Sequence, residues 1–492
     1  MALDRVLGLY ARLRRWERET RPVDPEKRRV LAERWAGLPA GVKTPAQLVG
    51  QHAVGCEGTH GVFPKCNLTC SPCYHSSDAN KVRVDSEHTL REVEAQMAHL
   101  RARRGPRAHA QLIGGEVSLL DPDAHAAALL AMRAHGREPM SMTHGDFDYA
   151  YLKAVALGRD GRPRLSRVSF AAHIDSLMRG RRGIPRPTSE ADLHPYRRSF
   201  VAMFRRLQRE HGVRSYLAHN MTVTPANIEQ IPAVVREVLT MGFSMMSFQP
   251  AAFVGDERRW REGFRDVVDD DVWGQIEAGV GTRIPYAAAQ MGDPRCNRSS
   301  FGFVADGRWF PFLDDRRPAD LAARDAFLTH LGGVTLGGVP ATVAGVRLVR
   351  GAVRNPSVLV TGARYAAGLA WRAGPAIARS RGRVHPMTFV MHSFMDADQV
   401  APAWQLMQQG VVSDDPAIRA TQERLQACVY TMSHPDTDQL VPACAQHSVL
   451  DPGENAALRR LLPLLDQRVV GSAPNGACAA GEAALAAGIT TH

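Results

Sequence analysis

Lysine is nearly missing from this chain: of 61 basic residues only five are lysine, at positions 27, 43, 65, 81 and 153, and the rest are arginine. Against 50 acidic residues the net charge is +11. The bias toward arginine, in a sequence rich in alanine and glycine, reflects coding preference as much as chemistry, so the positive balance alone names no partner. Basic and aromatic residues form no interleaved patch, and nucleic acid is not an expected ligand. No apolar run reaches the roughly 20 residues of a membrane-spanning helix. Arg5, Arg12, Arg14 and Arg15 break the opening segment where a signal peptide would need an apolar core. Cysteine is scarce as well, eight in 492 residues, with three in one loop. That pattern suits ligands in a reducing cytoplasm better than a secreted disulfide framework. The longest stretch without acid is 326–395, which contains no Asp or Glu but carries Arg347, Arg350, Arg354, Arg364, Arg372, Arg379, Arg381 and Arg383. Such a stretch could rest on anionic lipid at the inner membrane face. A helical insertion whose arginines are solvated or paired is the reading favoured here. With 45% apolar residues, the chain can fill the core of a large enzyme of roughly three domain-sized units.

What is present begins with Cys66, Cys70 and Cys73, spaced C-x3-C-x2-C and followed directly by Tyr74. Three thiolates on one loop can hold three corners of an iron-sulfur cubane, leaving one iron open to a ligand. The alternative is a zinc knuckle, which normally takes a fourth Cys or His at short spacing. About forty residues on, the apolar run from Ala108 to Ile113 predicts a buried strand ending in Gly114-Gly115-Glu116. Two glycines there let backbone approach a ligand with no Cβ in the way. Taken alone, that triplet would be an ordinary turn.

Together, the segment Gly61-Val-Phe-Pro-Lys-Cys-Asn-Leu-Thr-Cys-Ser-Pro-Cys-Tyr74 and the Gly-Gly-Glu element resemble the radical S-adenosylmethionine (SAM) enzymes. The resemblance implies that Cys66, Cys70 and Cys73 hold a [4Fe-4S] cluster whose open iron binds SAM. It places Tyr74 with the cofactor-binding residues and gives Gly114, Gly115 and Glu116 the SAM amino group. The family usually continues with Pro, where this chain has Val117-Ser118. One electron, from a donor such as flavodoxin or ferredoxin, would then cleave SAM to a 5′-deoxyadenosyl radical.

The hydrophobic pattern predicts two basic N-terminal helices, with Leu3, Val6, Leu7, Tyr10 and Leu13 on one face of the first and the second over 24–35. Helices follow at 87–103, 121–135, 148–157, 193–208 and 226–241. They alternate with strands at 108–113, 140–143, 167–172, 215–223 and 243–248, after an initial strand leading into the cysteine loop. Six strand-helix units predict an α/β fold, a partial (β/α)6 TIM-like barrel of the radical SAM type. Its active site is expected at the carboxyl ends of the strands. That rule nominates His173 and Asp175 after the fourth strand, Asn220 and Thr222 on the fifth, and Gln249 after the sixth, with Thr143-His144-Gly145 as a further candidate. Each could instead make an ordinary structural hydrogen bond.

Ser247–Gly255, Asp293-Pro-Arg-Cys296, Ser393–Ala397, Arg424–Cys428 and Leu440–Cys444 follow one another in a succession that resembles the tetraether lipid synthase group, which also contains pterin-modifying radical SAM methylases. By that likeness Cys296, Cys428 and Cys444 hold an auxiliary [4Fe-4S] cluster. Its fourth ligand stays open among Cys56, Cys478, His434 and His447, and the three thiols could also be unconnected. The expected organisation is a helical extension (1–55), the barrel (56–255), a first auxiliary region (256–325), the insertion (326–395), a second auxiliary region (396–470) and an Ala/Gly-rich tail (471–492). Carbon-carbon bond formation on a lipid-like substrate is the first functional expectation, which predicts a long apolar tunnel to the cluster. The insertion is expected to line it. Methylation or modification of a pterin-like molecule or peptide is the second and predicts a short pocket. A scaffold using its cysteines for structure is the third.

Overall fold

A computed structural model describes residues 2–464, apart from 76, 107, 336–338 and 340. Cys478 and the tail 471–492 lie outside the described residues. Eleven strands form one mixed sheet: β1 Cys56–Gly58, β2 Ala108–Leu112, β3 Arg137–Thr143, β4 Arg167–His173, β5 Arg214–Val223, β6 Met245–Pro250, β7 Asn297–Ala305, β8 Arg308–Pro311, β9 Val384–His392, β10 Tyr430–His434 and β11 Gln439–Pro442. Their order is β8-β7-β9-β6-β5-β4-β3-β2-β1-β10-β11. The six expected strands, β1 to β6, run parallel in sequence order. The sheet does not stop at six. β9 adds a parallel strand beside β6 and β10 another beside β1, so eight parallel strands lie in a row, edged by antiparallel β7, β8 and β11.

Laid flat, β10 and β9 would stand about 34 Å apart, seven gaps of about 4.8 Å. Yet Tyr430 of β10 and His392 of β9 line one cavity. The sheet is therefore curled, and its two margins approach each other. Arg424, on the helix that leads into β10, bridges the gap: its guanidinium donates to Ser393 O at 3.2 Å, just past β9, and to Cys296 Sγ at 3.1 Å, just before β7.

Local chemistry sets the crossovers. Asp85, Asp121 and Asp148 cap the helices Ser86–Arg104, Pro122–Ala134 and Tyr149–Ala156, each accepting a backbone N–H of the first turn. Gly212 and Gly242 end His194–His211 and Ile231–Met241 in left-handed conformation. These helices bury one face on the sheet, where Val93, Met97, Phe170, Phe204, Val235 and Phe248 belong to one core. The second N-terminal helix, Pro25–Ala36, seats Val30 and Leu31 against Val54 and Ala108. Arginine also enters the interior. Arg137 and Glu57, both with fully buried side chains, pair bidentately at 2.9 and 3.0 Å, and Arg197 pairs with Glu190 at 2.5 Å. A buried cation is tolerated only when neutralised and hydrogen-bonded.

The acid-free stretch is not a single helical cap. It holds the end of helix Pro318–Leu331, helices Ala341–Arg354 and Ser357–Arg379, and strand β9. Its arginines are partly paired: Arg372 with Asp320 and Arg379 with Asp306. Among the described residues of 326–395 only His392 and Phe394, at the end of β9, line the cavity; helices Ala341–Arg354 and Ser357–Arg379, with most of the arginines, do not. The register explains why. Ala305 pairs with Val384 at the amino-terminal end of β9, and helix Ser357–Arg379 packs Ala373 and Ala376 on Phe303, Ala305 and Phe310. The cavity opens at the other end. No helix among the described residues is long and apolar enough to cross a membrane.

Candidate active site

The cysteine loop leaves β1 and is held from three sides. Cys66 N–H donates to Asn80 Oδ1 at 2.9 Å. Thr69–Cys70 pairs antiparallel with Met178–Arg179, beyond the end of β4. Ser71 Oγ donates to Arg259 O at 3.0 Å. All three thiols face one cavity of about 230 Å³ whose walls are mostly apolar. Burial pushes Cys66 up to about 12. The Cys70 thiol donates to Cys73, which raises Cys70 well above the usual thiol range and holds Cys73 well below it. Binding of a metal group would release these protons, since thiolates are the ligands. A single zinc ion with Zn–S of about 2.3 Å would need sulfurs about 3.8 Å apart. These three do not gather within 4.8 Å; among the described residues, only His60, His434 and Glu454 do so.

Gly114 and Gly115 lie on the cavity wall and lock against the loop. Gly115 N–H donates to Phe63 O at 2.7 Å, and Glu116 N–H to Lys65 O at 2.9 Å. A Cβ on Gly115 would stand 2.1 Å from Lys65 O, so glycine is required here by the approach of two backbones. The Glu116 carboxylate is fully buried and off the cavity wall. It accepts from Thr143 Oγ1 at 2.7 Å, His144 N at 2.8 Å and Ser118 N at 2.9 Å, bracing the end of β2 to the end of β3.

Tyr74, Thr143, His144, His173, Asp175, Asn220, Thr222 and Gln249 line the same cavity, while Gly145 does not. Asp175 accepts from Thr222 N at 3.0 Å and lies 2.8 Å from His173 Nε2. Burial works against its charge, but His173 and these hydrogen bonds hold its carboxyl below the ordinary range. Gln249 donates to Ser247 Oγ at 2.6 Å, leaving its own Oε1 buried without a partner, as is Asn220 Oδ1. The Tyr74 hydroxyl is likewise unpaired beside Phe394, whose ring centroid is 4.7 Å away. Two buried acceptors and a buried hydroxyl around one cavity are a fitting set for a polar ligand. His144 also lines it, held to Asn67 Oδ1 at 2.8 Å.

Pattern reading missed Asn80, Arg259, His392 and Tyr430 on this wall, and named Cys56 only as a possible fourth ligand of the auxiliary cluster. His392 and Tyr430 belong to the two strands that extend the sheet, and nothing near them in sequence marks them as site residues.

The auxiliary cysteines lie off the cavity wall, at the closing seam. Arg424 Nε donates to Cys296 Sγ at 3.1 Å, and Cys428 Sγ donates to Tyr430 O at 3.0 Å. Burial pushes Cys56 and Cys296 up to about 11, and Cys444 higher. The charge of Cys428 contributes to all three shifts, and Cys296 to that of Cys444, so four thiols share one neighbourhood. His434 and His447 are engaged elsewhere, with Gln446 at 2.6 Å and Asp451 at 2.8 Å.

No family model and no curated protein matches the chain. Solved structures give slight overlaps. SuiB of Streptococcus suis bound to precursor peptide SuiA is 13% identical over 39% of this chain and 38% of its own, with a TM-score of 0.28. SuiB bound to S-adenosylmethionine gives 14% over 39% and 40%, TM-score 0.27. Native anSMEcpe with bound AdoMet and Cp18Cys peptide gives 12% over 45% and 57%, TM-score 0.29. The chain thus spans between 38% and 57% of the length of these proteins. Overlaps of this size add nothing to the geometry above.

Proposed function

We propose that the protein is a radical SAM enzyme, with Cys66, Cys70 and Cys73 holding a [4Fe-4S] cluster and SAM lying between that cluster and Gly114-Gly115. The observation that carries this reading is the meeting of three thiols and a glycine-only backbone edge on one wall of a closed-in cavity at the carboxyl ends of parallel strands. When bound, cluster and SAM supply a 5′-deoxyadenosyl radical that takes hydrogen from an unactivated carbon. The protein's part is to orient and to keep water out. Asn220 Oδ1 and Gln249 Oε1 accept hydrogen bonds from an N–H or O–H of the bound molecules, and the His173–Asp175–Thr222 network fixes the wall beside them. Tyr74 and Phe394 lie side by side on that wall. Cys296, Cys428 and Cys444, with Cys56 as a fourth thiol nearby, hold the auxiliary cluster, and a flavodoxin- or ferredoxin-like protein supplies the electron.

The cavity favours a compact substrate, a pterin-like ring or a peptide side chain, over coupling of long lipid chains. At about 230 Å³ the cavity is not the long apolar tunnel that two lipid chains would need. After anaerobic reconstitution and reduction the wild type should form 5′-deoxyadenosine, and Cys66→Ala/Cys70→Ala/Cys73→Ala should form none. Retained SAM cleavage in that variant would overturn the assignment. Deuterium transfer into 5′-deoxyadenosine from a labelled pterin or peptide, but not from a labelled acyl chain, would support the compact substrate; the reverse would restore the lipid reading.

A further inference from the structure

Helix Ala341–Arg354 is amphipathic the wrong way round for a soluble protein. Its polar side faces inward: Arg347 is buried and donates to Glu19 O and Thr335 O, each at 2.8 Å, and Arg350 donates to Thr20 Oγ1 at 2.6 Å. Its apolar side faces out, with Val349 62% and Val353 70% exposed. The next helix, Ser357–Arg379, repeats the arrangement. Ala373 and Ala376 pack on the sheet, while Val360, Ala363, Ala367 and Trp371, spaced three or four apart along the opposite face, are exposed. Trp371 is 86% exposed. The bonds from Arg347 and Arg350 bring the end of the first helix, Ala2–Glu19, alongside, where Leu13 and Trp16 are each 55% exposed.

Monomeric soluble proteins seldom leave so many large apolar side chains contiguous and uncovered. We infer that these helices form a docking face for an anionic lipid bilayer. Charge decides for lipid. Arg12, Arg14, Arg15, Arg18, Arg354, Arg364, Arg381 and Arg383 are exposed on these helices and just beyond them; against them stand Glu17, paired with Arg21, and Glu19 on the first helix, and no acidic residue occurs from 326 to 395. Outward aliphatic residues, exposed tryptophans and a rim of arginine are what an interfacial helix presents to headgroups and the outer acyl region. The face lies at the amino-terminal side of the parallel strands, where Ala305 pairs with Val384. Docking therefore leaves the cavity mouth free, and the inference does not depend on what the cavity binds.

The test is flotation of the full chain with vesicles of phosphatidylcholine alone or with phosphatidylglycerol added. Binding should require the anionic lipid and fall at least several-fold as salt rises from about 0.05 to 0.5 M, since screening shortens from about 14 to about 4 Å. Val353→Asp/Val360→Asp/Trp371→Asp should keep the wild-type melting temperature, because all three side chains are exposed, and should lose flotation. With wild-type protein, the blue shift in tryptophan emission on adding vesicles should shrink in Trp371→Phe while flotation persists. Absence of wild-type flotation at low salt, or undiminished flotation of the triple variant, would overturn the inference. So would a concentration-dependent dimer that the triple variant abolishes, which would assign the face to a second copy of the chain.

Discussion

Replacing Gly115 with alanine isolates the contact on which the candidate site is built. The new Cβ would sit 2.1 Å from Lys65 O, 2.3 Å from Lys65 C and 2.4 Å from Pro64 O. Those are backbone atoms that cannot rotate away. Restoring ordinary contact requires the loop next to Cys66 to move by about 1 Å, and forced repacking of this kind costs about 1–3 kcal/mol. Unfolding entropy of about 2 cal/mol/K per residue gives a chain of this size about 1 kcal/mol per degree, so the melting temperature should fall by about 1–3 °C. Metal-free protein should show this drop in calorimetry, and reconstituted Gly115→Ala should hold less iron and bind SAM more weakly. Gly453→Ala is the control. A Cβ there meets nothing within 4 Å, and a helical alanine should be neutral or stabilising by up to about 1 kcal/mol. If Gly115→Ala melted with the wild type and kept its iron, the packing of Gly-Gly-Glu against the cysteine loop would be wrong.

Glu57→Ala should destabilise by about 3–5 kcal/mol, because it strands the buried Arg137 charge, and Glu57→Leu/Arg137→Met should recover most of the loss in urea unfolding. Asp451, buried beside His447 and Gln446, is held at about 2, those partners outweighing its burial. Its contribution is therefore present above the ordinary carboxyl value near 4 and lost as pH falls through about 2. Asp451→Asn should cost about 2 kcal/mol at pH 7, and the difference from wild type should close as pH approaches 2. Removing Cys296, Cys428 and Cys444 should lower the iron content of a protein already lacking Cys66, Cys70 and Cys73; unchanged iron would remove the auxiliary cluster.

Much of this architecture was legible because its signals are local. The parallel strands β2 to β6 fall where hydrophobic periodicity predicts them, to within three residues at either end, and Asp caps and glycine stops mark the crossovers. The thiols of Cys66, Cys70 and Cys73 announce themselves by spacing alone. β9 was hidden because His385 and Pro386 interrupt its apolar pattern at the end of a stretch that reads by charge as an insertion. β10 is short and makes sense as a strand only once β1 is beside it. Arg137 and Arg197 were invisible as interior residues because their partners' role depends on burial: Glu57 is 80 positions from Arg137, and Arg197 faces Glu190 across a turn that tertiary packing alone encloses. Cys56 gave no hint of lying on the cavity wall, since its position follows from pairing with Tyr430.

Electron paramagnetic resonance of the reconstituted, reduced protein tests the central claim most directly. A cubane held by Cys66, Cys70 and Cys73 with one open iron should give a signal that changes when SAM is added, persists without Cys296, Cys428 and Cys444, and disappears without the first three cysteines. Absence of any SAM-responsive component, or a SAM-responsive component that survives loss of Cys66, Cys70 and Cys73, would contradict the account.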